Sequence, residues 1–283
     1  MKLNFFKLLQ LLIISAVFLC SCSPQYKLVK QFYNRNDTVS ILVLPPKYIN
    51  KSNLIIKSLY TDFNNLPIAL QDTIWERNTV IINNVVDSVI IEQYYSNFIS
   101  NLQLSGMIVY DYKNIDEFFK LPHKSLIIQI AQFQLEEDRQ NIDFNEELDV
   151  NYEVFKNIDI NIVSLNVWFE LYDAQNDTLL PTVLYAEKKI SDEIDGRFFS
   201  ITQENKTDSI VFKYKRKDIK FNDTYMLARE AGTFNAQEIT DYFFNQYVNS
   251  VFPTSKLYYG YKLKEKTLYY PEQNQQVIKI EIK

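Results

Sequence analysis

Two thiols near the N-terminus are the side chains whose type and spacing point most directly to a chemical reaction. Cys20 and Cys22 are the only cysteines among the 283 residues, and they flank Ser21 in the run Leu19-Cys20-Ser21-Cys22. A thiol can accept an alkyl group as a thioether, and a small side chain before it suits a peptidase cut. The small Ser21 therefore suits a cleavage site directly before Cys22.

The residues before this run have the composition of a secretory signal. Lys2 and Lys7 give a positive start, and an apolar stretch with only two polar interruptions follows at 8–19. About a dozen residues are too few to span a ~30 Å hydrocarbon core as a helix. We therefore predict that residues 1–21 are a signal peptide that is removed.

The same run resembles the lipobox of bacterial lipoproteins, in which a Leu, a tolerant position and a small residue precede the lipidated Cys. Leu19, Cys20, Ser21 and Cys22 hold those four places here. Lipidation at Cys20 would put the bulky Leu19 directly before the cut, so Cys22 is the predicted attachment site. The resemblance implies a membrane anchor of diacylglycerol and fatty acid such as palmitate. The alternative is an ordinary secreted protein whose signal happens to contain cysteines.

The resemblance also implies a location for a host with two membranes. In the best-known systems, lipoproteins with Asp directly after the lipidated Cys stay in the inner membrane, whereas Ser23 stands at that place here. This implies a lipid anchor in the cell outer membrane. The lack of an acidic run after Cys22 favours the periplasm over the cell exterior.

The single histidine, His123, is a weak candidate for catalysis or metal binding. With no second His and no thiol in the mature chain, a His- or Cys-rich zinc site cannot be assembled. A Ser-His-Asp triad would need His123, but no Gly-x-Ser-x-Gly elbow accompanies it. Because His123 follows Leu121 and Pro122, we expect a solvent-exposed turn residue.

An acidic, Asn-rich stretch at 136–153 offers carboxylates, from Glu136 to Asp149, that could surround Ca²⁺. It lacks the glycine that lets an EF-hand loop turn sharply. The stretch also shows no apolar period, so we predict a solvated, mobile loop and expect no cofactor or metal. Paired carboxylates for glycan cleavage leave no signal in a sequence, because they can meet from anywhere in the chain.

One basic cluster occurs in the chain, and it is formed by Lys213, Lys215, Arg216 and Lys217. On a strand the three lysines share one face, opposite to Phe212 and Tyr214. A polar strand face is the simpler interpretation, and contact with an anionic lipid or glycan surface is the alternative.

Composition excludes several classes of protein. Apolar residues at 47% and charged residues at 23% are typical of a globular chain and not of a disordered one. The formal net charge of −5 makes nucleic acid an improbable partner. The four glycines, at 106, 196, 232 and 260, are too far apart for a phosphate-binding loop. Without further cysteines, the mature chain is expected to have no disulfides.

Apolar alternation predicts the strands, and periods near four predict the helices. Strands are expected at 39–44, 79–82, 107–110, 125–135, 163–172, 179–190 and 210–216, with edge strands in the tail 257–283. A helix is predicted over 83–105, with Val86, Ile90, Tyr94, Phe98 and Leu102 on one face and Gly106 as its cap. A helix starting near Asp223 is expected to end at Gly232. A second is expected to pack Ile239, Phe243, Tyr247 and Val251 on the sheet and to end at Pro253.

These elements predict an α+β fold with a mixed, largely antiparallel sheet and helices packed on one face. Residues 22–38 are expected to be the lipidated N-terminus and tether, and 39–283 a single domain with C-terminal edge strands. The element order, the run Ile41-Leu-Val-Leu-Pro-Pro and the strand-turn-strand around 173–177 distantly resemble the periplasmic α/β domains of auxiliary outer-membrane lipoproteins.

The resemblance implies a binding, accessory or assembly subunit of the cell envelope, with an envelope protein as partner and no enzymatic activity. Two alternatives stay open. One is an envelope hydrolase of glycan or peptide that uses carboxylates which the sequence does not identify. The other is a carrier of an apolar ligand in an aromatic-lined pocket.

Overall fold

Over the residues that it describes, the computed structural model contains a mixed sheet, six α-helices and two small hairpins. It describes residues 24–36, 39–122, 126–149, 152–174, 178–201, 209–253, 257–262, 265, 267–271 and 278–281. The helices are α1 (Pro24–Asn36), α2 (Leu54–Leu59), α3 (Ile68–Asn78), α4 (Asp87–Leu104), α5 (Ile115–Phe119) and α6 (Phe221–Val251). The first strands are β1 (Ser40–Leu44), β2 (Asn50–Asn53), β3 (Ile108–Tyr110), β4 (Leu126–Asp149), β5 (Tyr152–Asp173) and β6 (Thr178–Ser191). The remaining strands are β7 (Glu193–Ile201), β8 (Ser209–Lys217), β9 (Gly260–Lys262), β10 (Thr267–Tyr269) and β11 (Ile278–Glu281).

The main sheet has the strand order β11-β6-β5-β4-β1-β3, and β2 also pairs with β4. β1 runs parallel to β3 and β4, whereas β4, β5, β6 and β11 pair antiparallel. The predicted α+β class with a mixed, largely antiparallel sheet is therefore confirmed. On β5 the predicted inward residues are buried: Val163, Leu165, Val167, Phe169 and Leu171.

The long helices α4 and α6 cover the face of the sheet to which these β5 residues point. Phe98 of α4 stacks on Phe169, with ring centroids 5.4 Å apart, and Tyr94 contacts Phe133 of β4 at 4.9 Å. The predicted cap is present, since Gly106 has a φ of 84° just after α4. The short α5 lies beside β3, where Phe118 contacts the ring of Tyr110 at 5.7 Å.

Helix α6 is one continuous helix of 31 residues, which corrects the prediction of two helices separated at Gly232. The predicted apolar face is also displaced. Ile239 is buried, but Phe243 and Tyr247 are only half-buried and Val251 is exposed. Towards the C-terminal end of α6 the buried apolar residues are Phe244 and Val248 instead.

The acidic stretch 136–153, predicted to be a mobile loop, lies almost entirely in the paired strands β4 and β5. Beyond the main sheet these strands continue as a two-stranded ribbon, which is formed by residues 139–149 and 152–161. The β7–β8 hairpin packs on this ribbon, where Phe144 contacts the ring of Phe212 at 5.0 Å. Asp143, Glu146 and Glu147 are exposed within these strands, so a loop is not required to solvate them.

Hydrogen bonds to Glu137 explain why residues 79–82 do not form the strand that the sequence predicts. Its side chain is 1% exposed and accepts hydrogen bonds from the backbone N–H groups of Val80, Ile81 and Ile82, each at 3.0 Å. These donors are therefore unavailable to a sheet partner, and a 3₁₀ turn begins at Ile82 instead.

Within the predicted tether 22–38, the structure contains the helix α1. Its side chains Leu28, Val29 and Phe32 are buried, and Phe32 contacts the rings of Phe244 and Tyr247 on α6. At the other end of the chain, β11 forms the edge of the main sheet beside β6. Among the described residues, no helix has the length and apolar character needed to cross a membrane.

Candidate functional site

An open cleft of about 780 Å³ lies between α4, α6, β6 and the β9–β10 hairpin. Its size is in the range of sites that hold small organic ligands. The lining residues are mainly polar or charged: Asn97, Asn101, Leu104, Ser105, Lys188, Arg229, Glu230, Thr233, Phe234, Gln237, Glu238, Lys262, Glu265 and Tyr269. The cleft thus presents charged and amide side chains to a ligand.

Cross-links between α4 and α6 fix one side of the cleft. Asn235 donates to the hydroxyl of Tyr94 at 2.9 Å, and Asn101 donates to the hydroxyl of Thr233 at 3.1 Å. Both helices are also packed on the sheet, so the relative position of their cleft-lining residues is set before any ligand arrives.

Glu238 is the most unusual residue of the cleft. It is 4% exposed, and its Oε2 atom has no hydrogen-bond partner among the described residues. Burial raises its pKa to about 8, and the nearby carboxylate of Asp241 adds to the rise, whereas Lys188 of β6 opposes it. At neutral pH Glu238 is therefore mainly a neutral carboxyl group, which can donate as well as accept a hydrogen bond.

Asp241, one helical turn from Glu238, is also buried but is fully engaged. Its Oδ1 accepts from the Tyr261 backbone N–H and the Gln237 amide, and its Oδ2 accepts from the Tyr269 hydroxyl. Burial raises its pKa to about 7, and these hydrogen bonds lower it. Asp241 is not among the cleft-lining residues, so its contacts indicate a role in holding the β9–β10 hairpin on α6.

Asn245 continues this attachment one turn further along α6. Its amide donates to the Tyr259 carbonyl at 2.7 Å and accepts from the Tyr259 backbone N–H at 2.8 Å. The hairpin thereby brings Lys262, Glu265 and Tyr269 to the cleft.

The cationic groups of the cleft differ in their pairing. Lys262 forms an ion pair with Glu265 at 3.6 Å. Lys188 lies 5.0 Å from the centre of the Phe234 ring. In the described part of the chain, neither Lys188 nor Arg229 lies within 4.0 Å of a carboxylate oxygen. These two cations therefore remain available to an anionic group of a ligand.

A second, smaller pocket of about 310 Å³ lies where the C-terminal part of α6 meets α1 and the start of β1. It is lined by Phe32, Arg35, Val39, Ile41, Met107, Leu126, Phe243, Gln246, Tyr247 and Ser250. Its volume is at the low end for a ligand pocket.

The residues singled out from the sequence lie elsewhere. Cys20, Ser21, Cys22 and His123 lie outside the described residues. Glu136 accepts hydrogen bonds from Ser52, Gln134 and Asn166. Over the residues that the structure describes, no group of three or more His, Cys, Asp or Glu side chains could hold a metal ion.

The basic cluster has a structural role in part. Arg216 contacts the carboxylate of Asp192, whose side chain is fully buried, at 2.7 Å. Lys217 contacts Glu193 of the neighbouring strand at 3.2 Å. Arg216 therefore helps to hold the β7–β8 hairpin on the ribbon.

Sequence reasoning missed Glu238 of the cleft and the buried polar residues that lie beside it on α6. Asn235, Glu238, Asp241 and Asn245 recur every three or four residues along α6, and all four are buried. That spacing places them on one side of a helix. A polar stripe beside an apolar one on the same helix is the sequence pattern that indicates such a buried site.

Comparisons with known proteins add little to this description. No protein-family model matches the sequence, and no curated protein matches it. Among solved structures, one similar chain is described as a homologue of a neuraminyllactose-binding hemagglutinin from Helicobacter pylori. The match covers 77% of this chain and 91% of that chain, with 11% sequence identity and a TM-score of 0.33. That score is below the level that indicates a shared fold, so the function must be argued from the cleft.

Proposed function

We propose that the protein is a lipid-anchored component of the cell envelope that acts by binding, as an accessory or assembly subunit, and that its ligand enters the cleft lined by Glu238. The observation that carries the binding site is the buried Oε2 of Glu238, which has no partner among the described residues. A buried polar atom without a hydrogen bond costs about 1–3 kcal/mol. A ligand that supplies this bond would recover that cost on binding.

The other polar groups of the cleft indicate the chemistry of such a ligand. The amide nitrogens of Asn97 and Asn101 donate to carbonyls within α4. Their amide oxygens accept no hydrogen bond from the described residues. Together with Glu238 they favour a ligand that carries hydroxyl groups, and Lys188 and Arg229 favour one that also carries a negative charge.

The anchor part of the proposal rests on the sequence alone. The run Leu19-Cys20-Ser21-Cys22 supports attachment at Cys22, and Ser23 supports export to the outer membrane, with the domain facing the periplasm. Labelling with a radioactive fatty acid should be lost in Cys22→Ser and kept in Cys20→Ser. Equal labelling of the two variants would contradict the assignment.

Hydrolysis is the second candidate, because Glu238 and Asp241 are two buried carboxyl groups on one helix face. Their Cβ atoms are expected roughly 5–6 Å apart at this spacing. Three donors occupy Asp241, however, and it does not line the cleft. A second carboxylate that can reach a substrate is what glycoside hydrolysis requires, so binding has the stronger support.

Thermal unfolding of the mature chain with a panel of soluble sugars and peptides tests the binding site. A ligand at 100 times its Kd stabilises the folded state by about 2.7 kcal/mol. We expect an acidic, hydroxylated compound to raise the melting temperature. Glu238→Ala, which removes the hydrogen-bonding group, and Lys188→Gln, which removes the charge, should reduce the shift. Glu117→Ala, at an exposed position outside the cleft, is the matched control. A shift that is unchanged in both cleft variants would refute the site, and release of a cleavage product would favour the hydrolase.

A further inference from the structure

Helix α1 begins very close to the proposed anchor in the sequence. Pro24, its first residue, is two positions after Cys22. Two extended residues span at most about 7 Å. An anchor at Cys22 would therefore hold the first turn of α1 near the lipid headgroups.

Helix α1 cannot move far from the rest of the domain. Leu28, Val29 and Phe32 are each at most 6% exposed, and Tyr33 contacts the ring of Tyr261 at 5.2 Å. An extended tether would let the domain move about 50 Å from the bilayer. The packed helix α1 instead fixes the distance and the orientation of the domain relative to the bilayer.

The charges on α1 are unusual for this chain. The protein has a formal net charge of −5, yet α1 contains Lys27, Lys30 and Arg35 and no Asp or Glu. Lys27 and Lys30 lie one turn apart and are exposed, on the side away from the buried Leu28 and Val29. The guanidinium of Arg35 lies over the ring of Tyr247.

We infer that the exposed face of α1 lies on a bilayer that contains anionic lipid headgroups, and that it orients the domain on the membrane. The inference rests on the proposed anchor at Cys22. The acyl chains of that anchor hold the chain on the membrane, and a basic segment beside them is attracted to anionic headgroups, which favours one orientation of the domain. The lysines of the β7–β8 hairpin are the competing surface, since Lys213 and Lys215 are also exposed.

A partition experiment separates the two surfaces. The mature chain from Cys22 has a single thiol, which can be coupled to a maleimide with one 14-carbon chain, so that binding to vesicles is reversible. Vesicles of phosphatidylcholine are compared with vesicles that also contain phosphatidylglycerol. Lys27→Gln/Lys30→Gln is compared with the matched pair Lys213→Gln/Lys215→Gln.

We expect phosphatidylglycerol to strengthen binding of the unchanged chain, and high salt to remove the gain. Each lysine near the surface contributes roughly a fivefold increase in affinity, so the α1 double variant should bind about 25-fold more weakly to the anionic vesicles. The hairpin variant should bind like the unchanged chain. Equal losses in both variants, or a loss only in the hairpin variant, would overturn the inference.

Acetylation of lysines on the coupled vesicles gives a second measurement within one molecule. Lys27 and Lys30 should react more slowly than Lys57, an exposed lysine of α2, and equal reactivity would contradict the inference. Because the acyl chain is attached chemically, a failure of natural lipidation would appear in the fatty-acid labelling and not in these results.

Discussion

Gly232 of α6 lies directly against the backbone of Tyr94 in α4. A Cβ atom at Gly232 would be 2.3 Å from the Tyr94 carbonyl oxygen and 3.1 Å from the Phe98 nitrogen. The contact at 2.3 Å is closer than real Cβ atoms come to another atom, so only glycine allows the two helices to approach this far. The approach brings Asn101 and Thr233 within hydrogen-bond distance at the edge of the cleft.

Gly232→Ala should therefore destabilise the protein even though alanine favours helices. The obstacle is backbone, which cannot move aside as a flexible side chain could, so we expect a loss of about 3 kcal/mol. Urea unfolding of the mature chain measures it. Asn249→Ala, at an exposed position of the same helix, should change stability by less than about 0.5 kcal/mol. Equal effects of the two changes would contradict the close approach.

The displaced apolar face of α6 predicts different effects for two adjacent phenylalanines. Phe244 is 1% exposed, so Phe244→Ala should cost about 3–5 kcal/mol through lost burial and the cavity left behind. Phe243 is only half-buried beside the smaller pocket, so Phe243→Ala should cost less than half as much. Denaturant midpoints of both variants test the order, and a larger loss in Phe243→Ala would restore the face that the sequence predicted.

The buried carboxylate of Glu137 should contribute strongly to the stability of the protein. Glu137→Ala removes the acceptor of three backbone N–H groups, two of them on the buried residues Ile81 and Ile82. We expect a loss of about 3–5 kcal/mol, because buried donors would be left unpaired. Glu146→Ala, at an exposed position of the same strand, is the control and should be near neutral. Calorimetric unfolding would show a similar drop for both variants if Glu137 were merely solvated.

The raised pKa of Glu238 predicts that stability falls as the pH rises. The folded state holds the proton up to about pH 8, whereas the ordinary value is 4.5. The folded chain therefore binds more protons than the unfolded chain between these values. The contribution of Glu238 to the free energy of unfolding is complete below about pH 4.5. It is lost as the pH rises towards 8, by at most about 1.4 kcal/mol per pH unit.

Glu238→Gln should make this dependence shallower, since the amide does not titrate. Asp241 has a raised pKa of the same sign and would keep part of the slope. Free energies of unfolding at several pH values between 5 and 8.5 measure the difference, with Glu117→Gln as the control. A slope that is the same in Glu238→Gln and in the unchanged chain would show that Glu238 is not the titrating group.

The sequence by itself determined the class of fold and several of its elements. Alternation on β5 and the stripe through Ile90, Tyr94 and Phe98 predicted their buried faces correctly, because a single sheet or helix face packed on one core produces a simple period. Gly106 was correctly predicted to end α4, because the left-handed backbone conformation that ends a helix is favoured by glycine itself and not by distant contacts. The lipobox resemblance and lipidation at Cys22 stay predictions that rest on the sequence alone.

Tertiary structure decided everything that depends on contacts between distant segments. Gly232 does not end a helix, because packing against Tyr94 outweighs the roughly 1 kcal/mol that glycine costs in a helix interior. The carboxylate of Glu137 accepts hydrogen bonds from a segment 55–57 residues away. No short-range sequence pattern can reveal a contact over that separation. The cleft itself exists only because α4, α6, β6 and the β9–β10 hairpin meet. The burial that raises the pKa of Glu238 is therefore a property of the assembled fold and not of the residues around position 238.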